Sequence, residues 1–157
     1  MSLRWEEATL SQCTPRDVLD FAKLRTDVFF LEQHINEEEI DTWDADEQTV
    51  HLWVRDGETM VGYARIVTRD DPADDDRGVR VSIGRLVVDP AYRSRGIARG
   101  LMERALEITG SEPVVLHAQT YIQDFYASLG FEPFGEAFDE AGIDHIRMLR
   151  QPTRETP

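Results

Sequence analysis

Apolar positions along this chain fall into short extended runs that are separated by segments with helical spacing. Residues 3–8, LRWEEA, alternate loosely and predict a first strand. A helix is expected next, because Thr14 can cap it, Pro15 suits its first position and Asp17 lies near its exposed amides. The stripe along this helix, on which two charged residues also fall, consists of Val18, Phe21, Ala22, Arg25, Val28, Phe29 and Glu32.

The middle of the chain predicts three more strands between charged loops. Residues 50–68 form two extended runs around Asp56-Gly57, a pair that is favoured in tight hairpin turns. Residues 81–88, VSIGRLVV, predict the third strand. The acidic segment 36–48 precedes the hairpin and is expected to be a loop.

The last third of the chain predicts two helices and three strands. In the second helix, Thr120 and Gln123 have the spacing of a capping box, and Gly130 is a C-terminal stop. The predicted elements are a helix after Asp89-Pro90 with Ile97, Leu101, Ala105 and Leu106 on one face, a strand at 113–119, a helix at 120–130, and strands at 131–135 and 145–149 with an acidic loop between them.

This order of elements predicts the fold class. Strands that are separated by helices imply some parallel pairing, whereas the early hairpins imply an antiparallel part. The sequence therefore predicts a mixed α/β sheet with helices on both faces. No repeat or linker divides the 157 residues, so we expect one domain over 1–157 with its core at about 3–150.

Composition limits the classes of function that this protein can have. The formal net charge is −14, and an acidic surface repels nucleic acid, which disfavours nucleic-acid binding. The same surface attracts a cationic small molecule. One cysteine, Cys13, excludes an internal disulfide framework and a cysteine-based zinc site. Neither a membrane-length apolar run nor a secretory signal is recognisable, so we expect a cytoplasmic protein that is not bound to membrane.

Four arginines crowd the stretch AYRSRGIARGLMERAL, residues 91–106, despite this acidity. A strand, a turn and a helix that begins at Gly96 present free backbone N–H groups and a positive helix end to an anion. Gly96 allows close approach of a ligand, Ala98 keeps the next turn slim, and arginine suits phosphate. The stretch predicts either a pyrophosphate-binding turn or a solvated basic helix face.

Residues 93–98, RSRGIA, match the Arg/Gln-x-x-Gly-x-Gly/Ala signature of the GNAT acyltransferase superfamily, and they follow the strand as in that family. Residues 123–131, QDFYASLGF, resemble the later helix and strand of the family. The similarity extends over roughly residues 3–150 and implies a mixed sheet that is splayed at its centre. Three further segments resemble the small bacterial ElaA-like subgroup: 24–33, 39–51 and 139–148.

The resemblance implies an N-acetyltransferase that moves acetyl directly from acetyl-CoA to a primary amine of a small molecule or peptide. Homodimers are frequent in the superfamily. The strand residues Leu86, Val87 and Val88 would pair with the pantetheine arm and aim an N–H at the thioester oxygen, with residues 114–119 as the splayed neighbour. The pyrophosphate would lie against Arg93, Ser94, Arg95, Gly96, Ile97 and Ala98.

Tyr126 occupies the position of the general acid in the family, or it is a core aromatic that packs against the cofactor. The base is either Glu32 or a water molecule. Glu32 and Arg25 are charged groups on an apolar stripe, so they either line the acceptor cleft or form structural ion pairs.

Five residues are candidates for contact with the acceptor. Three acids around Trp43, namely Asp41, Asp44 and Asp46, either cradle a cationic amine or belong to a solvated loop, and their spacing lacks the central glycine and terminal glutamate of a calcium site. No metal site is predicted. His117 lies near the point where the central strands part, but a satisfied half-buried histidine is the commoner case. The candidates are Arg25, Phe29, Trp43, Asp44 and His117.

Two other functions fit part of the pattern. Acyl-homoserine lactone synthases share the fold and a similar first half, here Arg25, Phe29, Trp43 and either Asp44 or Asp46. Glu32-Gln33 departs from the basic residue expected there, and RSRGIA suits CoA better than a carrier protein. A CoA-binding module without catalysis is the second alternative, and Tyr126 argues against it.

Overall fold

The computed structural model describes residues 1–152 and contains one mixed seven-stranded sheet over this range. Its order is β1-β2-β3-β4-β5-β7-β6, and neighbours are antiparallel except for β4 and β5, which are parallel. The predicted mixed α/β class is confirmed. The strands are β1 (Leu3–Ala8), β2 (Val50–Asp56), β3 (Thr59–Thr68), β4 (Val81–Val88), β5 (Val114–Gln119), β6 (Glu132–Glu140) and β7 (Ile143–Arg150), and the helices are α1 (Pro15–Arg25), α2 (Ile97–Thr109) and α3 (Gln123–Ala127).

The sheet separates the core into two apolar clusters, one under α1 and one under α2. Successive strand residues point to opposite faces, so Leu52 packs into the α2 cluster while Trp53 packs into the α1 cluster. Phe21 of α1 is 2% exposed and Leu101 of α2 is fully buried. Helices therefore cover both faces, as expected. No helix within residues 1–152 is both long and apolar enough to cross a membrane.

The first helix begins as predicted. Thr14 Oγ1 accepts a hydrogen bond from the Asp17 amide at 3.1 Å, and Asp17 Oδ2 accepts one from the Thr14 amide at 2.9 Å. Beyond Arg25 the chain continues as a π-helical segment, Thr26–Glu32. This segment leads towards the turn that precedes α2, because Glu32 at its end contacts Arg93.

Two predictions for the last third are wrong. Thr120–Ile122 forms a 3-10 turn and α3 begins at Gln123 with no side-chain cap, so the capping box is not formed. The acidic segment between the last two strands is itself strand, and β6 and β7 meet at a tight turn at Ala141-Gly142, both with positive φ. Since β6 is an exposed edge strand, it needs no apolar alternation that would reveal it.

The central strands part after a short contact. β4 and β5 pair only at Val81–Val114 and Ser82–Val115, and their remaining residues diverge. The register of β3 against β4 shifts between Tyr63 and Arg65, where Arg85 of β4 has a φ of +55°. This bulge bends β4 away from β5. The predicted central splay is confirmed.

Candidate active site

The divergence of β4 and β5 opens a cleft of about 660 Å³. Strand alternation gives it two sides. On the α1 side the strands contribute Arg65, Val67, Ser82, Gly84, His117 and Gln119, and on the α2 side the wall is formed by Ile83, Leu86, Met102, Leu116, Ile122 and Tyr126. The cleft thus passes through the sheet, so that two ligands can meet in it from opposite faces.

The β5-facing edge of β4 is free where the cleft opens. Val87 and Val88 pair with β3 on their other side, whereas pairing with β5 ends at Ser82. The Val87 side chain is buried in the α1 cluster, and Leu86 lines the cleft. An extended ligand can therefore pair with this strand edge through backbone hydrogen bonds, while only Leu86 offers it a side chain.

We call residues Arg93–Ala98 the donor turn. Within residues 1–152, the amides of Ser94 through Ala98 donate to no protein group. Ser94 and Gly96 have φ values of +63° and +76°, and Gly96 is the N-cap of the 13-residue helix α2. Nothing lies within 4 Å of the position of a Cβ on Gly96. The donor turn therefore presents open amides at a positive helix end, an arrangement that binds phosphate.

Arg93 is already engaged by protein groups. Its Nη1 and Nη2 each donate to the Glu32 carboxylate at 2.6 Å, and its Nε donates to the Val88 carbonyl at 3.2 Å. The hydrogen bonds from Arg93 hold the pKa of Glu32 below its ordinary value. The Arg93–Glu32 pair ties the end of the π-helical segment to the donor turn.

The sequence left the base as either Glu32 or a water molecule, and the position of Glu32 favours water. The side chain lies outside the cleft wall described by residues 1–152, and a lowered pKa makes its carboxylate a weaker base. Its two short contacts with Arg93 explain its place on the apolar stripe, because that face of the helix meets the donor turn.

The other three arginines of the stretch point in different directions. Arg95 lies over the ring of Tyr92 at 5.3 Å, beside the donor turn. Arg99 donates to a serine hydroxyl next to α3 at 2.7 Å. Arg104 lies over the tryptophan ring of β1 at 4.6 Å. The cations that crowd the sequence therefore do not form one basic patch in space.

Tyr126 of α3 reaches the cleft from the α2 side. The residue is 8% exposed, and its hydroxyl has no hydrogen-bond partner in the described part of the chain. Burial, with a smaller effect of Tyr121, raises the pKa of Tyr126 to about 12. The hydroxyl is therefore protonated at neutral pH and free to donate into the cleft.

The α1 side of the cleft carries a set of paired side chains that we call the charge network, of which Arg25 and Asp44 lie behind the cleft wall. Arg25 Nη1 donates to Asp44 at 2.7 Å, and Arg65 Nη1 and Nη2 donate to Asp41 at 2.7 and 2.9 Å. Its other contacts include an Arg85 Nε–Glu39 distance of 3.2 Å. The members are Arg25, Glu39, Asp41, Asp44, Arg65 and Arg85.

Arg25 and Asp44 were predicted to contact the acceptor, and the structure corrects both assignments. Arg25 is fully buried, Asp44 is 6% exposed, and both lie behind the residues that line the cleft. Burial raises the pKa of Asp44, but the hydrogen bond and charge of Arg25 outweigh it and lower the pKa to about 2. The pair is structural, the alternative left open for Arg25.

Sequence reasoning missed three members of the charge network, Glu39, Arg65 and Arg85, whereas Asp41 was among the acids expected near a cationic acceptor. Arg65 is the one charged residue in the apolar run YARIV, residues 63–67. A charge in such a run indicates a buried group that needs a partner. Arg85 gives no such signal, because the bulge that turns it towards Glu39 and Asp41 arises from the pairing of β3 with β4.

Phe29, Trp43 and His117 line the cleft, as predicted. His117 Nε2 lies 2.9 Å from Asp76 and its Nδ1 lies 3.1 Å from Glu140. Both neighbours are carboxylates, so they favour the charged ring, which donates from both nitrogens. Burial lowers the pKa of His117, but the hydrogen bonds to Glu140 and Asp76 outweigh it and raise the pKa.

The chain matches a known protein family over most of its length. A model described as an acetyltransferase (GNAT) domain matches residues 10–151. The chain is 33% identical over 153 residues to the protein ElaA of Escherichia coli, which covers 95% of this chain and 97% of ElaA. The predicted resemblance is confirmed.

Solved structures agree with the sequence match. The crystal structure of Escherichia coli ElaA superposes with a TM-score of 0.86 at 32% identity and covers 96% of this chain and all of the other. An acyl-CoA N-acyltransferase from Pseudomonas aeruginosa gives a TM-score of 0.84 at 32% identity, over 95% and 99% of the two chains. A CoA-dependent acyl-homoserine lactone synthase, BjaI, shares the fold at 21% identity, with a TM-score of 0.78 over 98% and 85%.

Proposed function

Because this chain belongs to the GNAT acetyltransferase family, we propose that it transfers an acetyl group from acetyl-CoA to the amine of a small molecule or peptide. The observation that carries the proposal is the donor turn, where five consecutive amides lack a protein acceptor within residues 1–152, next to a strand edge that is also unpaired.

Acetyl-CoA fits the donor turn and the free edge of β4 beside it. The amides of Ser94 through Ala98 would bind the pyrophosphate, and Gly96 leaves the space that the phosphate oxygens need. The free edge at Leu86, Val87 and Val88 would pair with pantetheine and place a backbone N–H at the thioester oxygen, where negative charge develops.

Tyr126 would act as the general acid. The amine attacks the thioester carbon, the C–N bond forms and the C–S bond breaks, and the Tyr126 hydroxyl gives its proton to the sulfur. The proton that the amine loses passes to water in the cleft, because Glu32 faces Arg93 instead. Tyr126 then recovers its proton from solvent.

Two measurements on the purified protein test the proposal. Titration calorimetry should show acetyl-CoA binding, and thiol release from acetyl-CoA should exceed background hydrolysis only when an amine from a panel is added. Binding without release for every amine would favour the non-catalytic module. Thermal stabilisation by S-adenosylmethionine rather than acetyl-CoA would favour the lactone synthase alternative.

We further propose acetyl rather than a longer acyl group, because the resemblance that led to the donor implies acetyl-CoA. The homodimer, the absence of nucleic-acid and membrane partners and the cytoplasmic location stay predictions of the sequence. Size-exclusion chromatography with light scattering would test the oligomeric state, and a mass of 18.0 kDa in solution would contradict a dimer.

A further inference from the structure

Four arginines line the cleft, and one of them differs from the rest. Arg65, Arg80 and Arg85 each contact a carboxylate, at distances between 2.7 and 3.4 Å. Within residues 1–152, Arg69 has no carboxylate within salt-bridge distance. In a chain with 31 acidic and 17 basic residues, an arginine that faces a cleft without an acidic partner is a group left free for a ligand.

Arg69 is nevertheless held in place. Its guanidinium lies over the ring of Trp43 at 5.2 Å, and its backbone amide donates to the Arg80 carbonyl at 2.8 Å. Its Nε is buried and has no hydrogen-bond partner in the described part of the chain. The nearest acidic residue in sequence, Asp70, is engaged by Arg80 at 3.4 Å. A buried donor on a charged group is costly unless an acceptor reaches it.

The shape of the Arg69 guanidinium indicates which kind of hydrogen-bond acceptor suits it. The planar guanidinium can donate two parallel hydrogen bonds to a carboxylate, and its contact with the Trp43 ring restrains the Arg69 side chain. A phosphate normally recruits several cations or open amides, as the donor turn provides, whereas here the other cleft arginines are already paired. A carboxylate is therefore the ligand that this position suits.

The place of Arg69 limits the shape of the ligand. Arg69 follows β3 directly and lies opposite Arg80, at the closed end of the splay, whereas the thioester would lie along Leu86 to Val88. From Arg80 to Leu86 the strand spans at most about 20 Å. Even with a long arginine side chain, a ligand that touches both places must have its amine and its carboxylate several bonds apart.

We propose that Arg69, held by Trp43, binds a carboxylate of the acceptor, and that the acceptor is an elongated molecule with an amine at one end and a carboxylate at the other, of the length of a short peptide with both termini free. This inference rests on the proposed function, because it places the amine at the acetyl donor. It assigns a specificity role to a residue that the transfer of acetyl does not itself require.

The test compares acceptors that differ only in the carboxylate. Thiol release from acetyl-CoA is measured with an equimolar pool of tripeptides Xaa-Gly-Gly and with the same pool as C-terminal carboxamides, using wild type, Arg69→Gln and Arg80→Gln. Glycine and glycinamide form a pair that is too short to reach Arg69. Calorimetry with acetyl-CoA checks that each variant folds and binds the donor as wild type does.

Wild type is expected to favour the free tripeptide acids roughly tenfold or more, through KM, since a hydrogen bond to a charged group has about that effect. The preference should vanish in Arg69→Gln and persist in Arg80→Gln, and glycine should show none over glycinamide. Equal rates with acids and carboxamides in wild type, or an equal loss in both variants, would overturn the inference while the release itself upholds the proposed function. The absence of release with every amine, these peptides included, would overturn the proposed function and this inference with it.

Discussion

The donor turn and the charge network treat their polar groups in opposite ways. The donor turn has five consecutive amides that have no protein acceptor within residues 1–152. The charge network joins three arginines and three carboxylates that saturate one another, from segments as far apart as residues 25 and 85. The donor turn leaves its donors open, whereas the charge network pairs the charges that lie in and behind the cleft wall.

The difference shows that charge near a cleft is a poor guide to a binding site unless its partners are known. Arg25 and Asp44 are charged, close to the cleft and unavailable. Tyr126 and Arg69 matter because the protein leaves the Tyr126 hydroxyl and the Arg69 Nε without a partner in the part of the chain that the structure describes. At these two cleft positions a ligand can supply the partner that the described protein groups do not.

The largest expected effect comes from breaking the charge network. Arg25→Ala leaves Asp44 and Glu39 without their main cation, and the free energy of unfolding should fall by roughly 3–5 kcal/mol, as when one partner of a buried pair is removed. Urea denaturation measures it. Lys23→Ala, which removes an exposed pair with Asp27 on the same helix, is the control and should leave the midpoint unchanged. A stable Arg25→Ala that loses only acceptor turnover would make the network a binding site after all.

Tyr126→Phe tests the role of the Tyr126 hydroxyl, which lies on the α2 side of the cleft and has no protein partner within residues 1–152. Loss of the acid should lower kcat roughly 100-fold while the affinity for acetyl-CoA stays the same. Stability should not fall, because the hydroxyl has no partner within residues 1–152 to lose. Tyr121→Phe, at a second tyrosine that lines the cleft and is 73% exposed, tests whether the Tyr121 hydroxyl can substitute as the acid. Equal turnover of Tyr126→Phe and wild type, with chemistry rate-limiting, would remove the acid assignment.

Gly96→Ala tests the open amides of the donor turn. A side chain at a φ of +76° is strained, and it crowds the place of the phosphate, so the affinity for acetyl-CoA should fall roughly tenfold. Gly110→Ala places at least as much strain at the other end of α2, where φ is +59°, ψ is −118° and the surroundings are equally open. Calorimetry should show the affinity loss in the first variant alone. A similar loss in both would mean that helix strain, rather than the turn, controls binding.

The smallest expected effect is the pH dependence of the His117 contacts. The pKa of His117 is raised in the folded chain, so its stabilising contribution is complete below the ordinary histidine pKa and is lost as pH rises through the folded pKa. The difference in unfolding free energy between wild type and His117→Gln should be roughly 0.5–1 kcal/mol near pH 5.5 and shrink towards pH 8.5. A difference that grows with pH would contradict a charged ring.

Several elements of the fold and the turn on the donor side could be predicted because their causes are local. The cap at Thr14, the hairpin at Asp56-Gly57 and the turn before α2 depend on residues that are neighbours in sequence. Unpaired amides at a helix start follow from the helix itself, so RSRGIA predicts them without knowledge of the rest of the fold. The two wrong elements lie at an edge strand and at a helix of five residues, where the local signals are weak.

The acceptor side was decided only by the tertiary structure. The sequence places Arg25 and Glu32 on an apolar stripe but does not say which carboxylate or arginine meets them, and their partners, Asp44 and Arg93, lie 19 and 61 residues away. The bulge at Arg85 and the unpaired Nε of Arg69 likewise arise from strand pairing. Helix ends and turns need only contiguous residues, whereas the pairing of charges depends on which segments the folded sheet brings together.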